Sequence, residues 1–135
     1  MKAFQTQADE TFIQSISDFL REEHAQAVVQ IPIGSFNISQ IPEDLFFEMI
    51  RNSLERARNY ELDMESSLVS FVTLMFVVAP NFDWHIPFKI ALENNEIEPN
   101  LRIDRLITCS TERDWEVAVA NYEISEWKFK TTTQS

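Results

Sequence analysis

Residues 68–79 read LVSFVTLMFVVA, and only Ser70 and Thr73 interrupt the apolar side chains. A segment apolar on every side belongs in a protein interior, and these twelve residues fall well short of the roughly 20 that cross a bilayer. Val, Phe and Thr favour strands, but a buried strand usually runs about 4 to 8 residues. Counted from an N-cap at Asp63 to Ala79, this segment has 17. The reading is therefore a buried central helix over residues 63–79. Asp63 is placed to accept from the free N–H groups of the first turn, and Glu65 puts negative charge at the positive end of the helix dipole. Pro80 ends the segment because it lacks the next helical donor and pushes Ala79 out of helical angles.

The rest of the chain fits one helical domain built around that element. At 135 residues there is enough chain for a single core. One glycine in the whole sequence leaves little material for the positive-φ positions of β hairpins, so an all-α fold of about five to six helices is expected. Phe12, Ile13, Ile16, Phe19 and Leu20 form an apolar stripe at spacings of three and four over residues 9–29. Pro42, Glu43 and Asp44 open a second helix whose buried side is Phe46, Phe47, Ile50, Leu54 and Ala57. Glu48, Arg51 and Glu55 are spaced for exposed ion pairs along it. A short helix over residues 88–93 follows the central one, then LRIDRLITC with Leu101, Ile103, Leu106 and Ile107 inward. Ser110 and Thr111 cap a last helix through Asp114, with Trp115, Val119 and Tyr122 along one side.

Between the first two helices, residues 30–42 (QIPIGSFNISQIP) carry the breakers Pro32, Gly34 and Pro42 and read as a long extended loop over the core. A small hairpin turning at Gly34-Ser35 is the alternative. The C-terminal residues 128–135 read as a tail, and the alternation of Trp127, Phe129 and Thr131 would suit an added edge strand.

Formal charge is −11, with 16 acidic and 6 basic residues in positions 1–99 and 6 and 5 in positions 100–135. Such a field repels phosphate backbones and anionic lipid and attracts a cationic protein. No nucleic-acid or membrane partner is expected. The lone Cys109 permits neither an intramolecular disulfide nor a multi-cysteine zinc site, and the N-terminal residues lack an apolar signal region, so cytoplasmic residence is the default. Glu22, Glu23 and His24 point in different directions on a helix and do not make a metal site.

The densest group of chemically capable side chains is Asp83-Trp84-His85. An Asp and a His two residues apart could contribute to a metal site or a general base, but a third partner is not visible nearby. The stronger reading is that Asp83 caps a turn while Trp84 covers the end of the core and, beside Asp83 and His85, suits a binding surface. Phe36, in the long loop, and Trp127, in the tail, complete the candidate partner-binding set. No cofactor is expected and no enzyme activity is assigned.

Residues 53–83 carry a resemblance, spanning residues 9–108, to a family of small acidic helical proteins encoded beside spike, adaptor and effector genes in type VI secretion loci of Gram-negative bacteria. The Arg-Ala-x-x-Tyr pattern is matched by Arg56, Ala57 and Tyr60, the acidic helix start by Glu65, and the Phe-Asp break by Phe82 and Asp83. Two family glycines are replaced here, by Glu61 after Tyr60 and by Ala79 before Pro80. In this pattern Tyr60 and Phe82 are read as plugs at the two ends of the central helix, and Arg56 as reaching Asp63 or Glu65. The resemblance implies a non-enzymatic protein that binds a toxin or a spike partner, as an immunity protein or an effector adaptor or chaperone.

Overall fold

The computed structural model describes the backbone of residues 2–129 and the side chains of residues 9–129. Six α-helices occur among them: α1 (Lys2–Glu23), α2 (Glu43–Arg58), α3 (Glu65–Val77), α4 (Ile86–Leu92), α5 (Pro99–Cys109) and α6 (Glu112–Ala120). A two-stranded hairpin, β1 (Val28–Ile31) and β2 (Gly34–Asn37), lies between α1 and α2. The fold is all-α in class, and α3 is its central element as expected. Its inner face, Leu68, Phe71, Val72, Met75 and Phe76, is buried against α2, α5 and β1.

The start of α3 differs from the sequence reading. Asp63 is not the cap; Met64 stands there without a side-chain hydrogen bond. The backbone that leads into the helix is instead tied to α5, where Asn100 Oδ1 accepts from the N–H of Asp63 and of Met64, both at 3.0 Å. Asn100 Nδ2 donates to Asp63 Oδ1 at 2.7 Å, and Ser67 Oγ donates to the Asn100 carbonyl at 3.0 Å. This junction turns α5 so that Asn100 and Arg102 are buried with Ile103 and Leu106, while Leu101 and Ile107, expected inside, are exposed. An Asn100→Ala variant leaves two backbone donors without their acceptor and is expected to lose about 2 to 3 kcal/mol in a urea titration.

At the α2–α3 turn Glu61, which stands where the resemblance implies a glycine, adopts φ 69°, the left-handed conformation that favours glycine. Ala79, at the other replaced glycine, is not among the positive-φ residues described. The two departures thus differ in cost. Glu61→Gly is expected to raise the thermal midpoint, with a gain of about 0.5 to 1 kcal/mol from relief of the strained backbone.

Residues 30–42 are not an extended loop. They contain the end of β1, the turn and all of β2 in a hairpin whose register pairs Val28 with Asn37 and Ile31 with Gly34, so the turn residues are Pro32 and Ile33 rather than Gly34-Ser35. Pro32 supplies the fixed φ of a tight turn, and Gly34, at φ 142°, supplies the conformation that follows it. The segment after β2 is tied to α1: Arg21 donates to the carbonyls of Ile38 and Ile41, each at 2.8 Å, and its guanidinium lies 4.4 Å from the Phe46 ring centre.

The C-terminal end corrects a further expectation. Residues 124–127 form a 3₁₀ turn that buries Trp127 to 1 % exposure, and Lys128 then turns left-handed at φ 59°. Trp127 Nε1 donates to the Gln30 carbonyl at 3.0 Å, and Tyr122 Oη both accepts from Gln30 N and donates to Gln30 O at 3.0 Å. Trp127 is a plug under β1, and residues 127–129 form no edge strand. Residues 130–135 of the expected tail lie outside the described residues.

Candidate functional site

The tripeptide 83–85 sits in the 3₁₀ turn Phe82–Trp84 and the N-cap of α4, and its three side chains go three ways. Asp83 points inward and is 2 % exposed. Arg56 donates to it from Nε at 3.2 and 3.1 Å and from Nη2 at 2.9 Å, a two-pronged grip that suits a planar guanidinium. Tyr60 Oη donates to Asp83 Oδ2 at 2.5 Å, and Arg56 Nη1 reaches Glu126 Oε1 at 2.8 Å. Burial first, and then the Asp83 carboxylate, push the Tyr60 phenol well above its ordinary range. Burial alone would lower the Arg56 pKa, but Asp83 and Glu126 more than offset this and hold it raised.

This network revises the roles of four motif residues. Arg56 does not reach Asp63 or Glu65. Tyr60 and Phe82 do not plug opposite ends of α3; both rings lie against Phe71, with centroids 5.7 and 4.9 Å away. Ala57 is fully buried. The Arg-Ala-x-x-Tyr pattern and the Phe-Asp break are therefore two halves of one interior fastening. Asp83, expected at a partner surface, is instead buried inside this network.

His85 turns to α6. Its Nε2 lies 2.9 Å from Asp114 Oδ1, and Asp114 also completes a capping box with Thr111, as the sequence implied. His85 first, then the Thr111 backbone N–H, hold the Asp114 carboxyl below its usual range. A group whose folded pKa is depressed contributes stability that is present above its unfolded value near 4 and is lost as pH falls through the folded one. Acid titration of the folded protein should therefore show a stability decrease below about pH 4 that is smaller in His85→Gln.

Trp84 faces outward and is 49 % exposed. Ile86 and Ile90, one helical turn apart on α4, are 63 % and 64 % exposed. Between this turn and α6 lies a cleft of about 430 Å³. Trp84, Ile86 and Ala118 supply its apolar lining, and Asn81, Asn121 and Glu123 its polar lining. The cleft is braced from within: Asn81 Nδ2 donates to the Asn121 carbonyl at 2.9 Å, and Asn81 Oδ1 accepts from Glu123 N at 2.9 Å.

Of the five residues expected to meet a partner, Trp84 is exposed and His85 borders the cleft. Phe36 is half-buried against the core, and Trp127 and Asp83 are inside. Ile86, Ile90 and Glu123 escaped the sequence reading. The signal for the isoleucines was their spacing of four on a short helix whose inward residues, Phe88 and Leu92, take a different face. Val119, expected on the inner side of α6, is 50 % exposed, and Ala118 is buried instead.

Among the described residues no group of three or more His, Cys, Asp or Glu is placed to hold a metal ion, and no helix is long and apolar enough to cross a membrane. No protein-family model, curated protein or solved structure matches the chain.

Proposed function

We propose that the chain is a non-enzymatic protein-binding component of a type VI secretion locus. In this reading it acts in the cytoplasm, as an immunity protein or as an effector adaptor or chaperone, by binding a toxin or a spike partner. The observation that carries the binding role is the outward apolar group Trp84, Ile86 and Ile90, on a chain of charge −11. Exposed aromatic anchors beside aliphatic side chains are the usual centres of protein interfaces. The locus comes from the resemblance of residues 53–83.

The competing reading is a small enzyme or metal-dependent protein using Asp83 and His85. It needs those two side chains to converge on a substrate or an ion. Each is instead held by a separate partner, Asp83 by Arg56 and Tyr60, His85 by Asp114. Within the protein-binding reading, acidity suits a toxin with a cationic cleft, and the apolar group suits a client segment.

Co-expression with the products of adjacent spike, adaptor and toxin genes, followed by affinity purification, tests the proposal. A stoichiometric complex with one of them is expected. An isolated monomer that captures none of them would contradict it.

A further inference from the structure

We propose that the cleft between the Phe82–Trp84 turn and α6 receives a lysine or arginine side chain, presented by a cationic amphipathic segment of the partner protein. This rests on the protein-binding reading above and names the chemistry of the bound segment.

The cleft has the two parts that a long basic side chain requires. Trp84, Ile86 and Ala118 form an apolar run along which an aliphatic stem can lie, and the Trp84 ring face also attracts a cation. Glu123, on the polar side, carries a carboxylate to receive the charged head. One of its oxygens accepts from Ser125 Oγ at 2.8 Å, and a carboxylate has about four acceptor sites, so a further donor can be taken. His85, the other titratable residue lining the cleft, is engaged by Asp114.

Charge complementarity selects the occupant. An acidic segment would meet Glu123 and the net field of −11 with like charge, and a neutral apolar one would bring no cation to the Glu123 carboxylate, whose partner is the uncharged Ser125. Ile90, one turn along α4 from Ile86, adds an exposed aliphatic contact next to the cleft, which favours a segment carrying apolar residues beside its basic ones. The Asn81 bonds to Asn121 and Glu123 and the His85–Asp114 pair fix both walls before binding, so little ordering cost falls on this side.

Tryptophan emission reads the cleft directly, because Trp127 is buried, Trp115 is half-buried and Trp84 is exposed. The probe is a synthetic amphipathic helix with leucines on one face and arginines on the other, compared with the same peptide bearing glutamates. The arginine peptide is expected to bind and shift the emission to the blue, weakening with salt, whereas the glutamate peptide does not bind. Glu123→Gln should weaken binding about fivefold and Trp84→Ala about thirtyfold. Trp84→Phe should keep binding but lose the spectral shift.

No binding of the arginine peptide, equal binding of both peptides, or affinities untouched by Glu123→Gln and Trp84→Ala would each overturn the proposal. A secretion-locus partner that is captured equally well by wild type and by Trp84→Ala would overturn this cleft while the protein-binding reading stands. An arginine peptide that binds as described, with no locus partner captured, would uphold the cleft and overturn the locus assignment.

Discussion

Trp127→Ala is expected to lower the unfolding free energy by about 3 to 5 kcal/mol, the usual cost of emptying a large aromatic site in a core. Its ring lies 4.9 Å from Phe76 of α3, which in turn meets Phe46 of α2 at 5.2 Å, so one side chain joins the C-terminal turn to the two main helices. Its Nε1 also donates to Gln30, which couples the same plug to the hairpin. In a chain of this length such a loss corresponds to a fall in thermal midpoint of roughly 10 °C or more. A loss below about 1 kcal/mol would return Trp127 to the surface tail that its position near the end of the chain implied. Trp127→Phe should recover part of the loss through packing alone, since phenylalanine lacks the indole donor.

Asp83→Ala is expected to be comparably severe, at about 3 kcal/mol. Removing one member of a buried pair leaves the other charge without compensation, a cost of about 3 to 5 kcal/mol. Glu126 still faces Arg56, which places the loss at the lower end. Tyr60→Phe, by contrast, removes one hydrogen bond from an aspartate that keeps its arginine, and should cost about 1 kcal/mol. The Tyr60 phenol also sets an alkaline limit. Its folded pKa is raised, so its contribution is complete below the unfolded value near 10 and is lost as pH rises toward the folded one. Urea midpoints should therefore fall above about pH 10 in the wild type, and less steeply in Tyr60→Phe.

The helical class and its central element were legible because length, breakers and apolar density act locally. Pro80 stops α3 and the Thr111–Asp114 box starts α6 through contacts within a few residues. What was not legible depends on residues far apart in sequence. Arg56 had local acids within reach at Asp63 and Glu65, and nothing in the linear text shows that Asp83 is folded onto it across α3. Asn100, on α5, binds the backbone of Asp63 and Met64 and takes up the Asp63 carboxylate that a cap would have used. Trp127 was grouped with the tail because its alternation with Phe129 and Thr131 suits an edge strand, and its bond to Gln30 spans most of the chain.

The candidate surface was half legible for the same reason. The sequence marked 83–85 as a unit, but a 3₁₀ turn with α4 starting directly after it sends adjacent side chains in different directions. Asp83 and Trp84, neighbours in the chain, are 2 % and 49 % exposed. The hairpin was misplaced by two residues because Gly34-Ser35 is a good turn pair, and the competing pair Pro32-Ile33 becomes readable only once the burial of Val29 and Ile31 sets the register.

One turn divides two tasks: Asp83 is buried in the fold, and Trp84, exposed beside it, is the residue proposed to do the recognising. The most direct test is to measure, on the same Trp84→Ala protein, its urea unfolding midpoint and its binding of the arginine-faced peptide. The predicted result is an unfolding free energy within about 0.5 kcal/mol of wild type together with binding weakened about thirtyfold. Unchanged binding, or a loss of stability of about 2 kcal/mol or more, would contradict it.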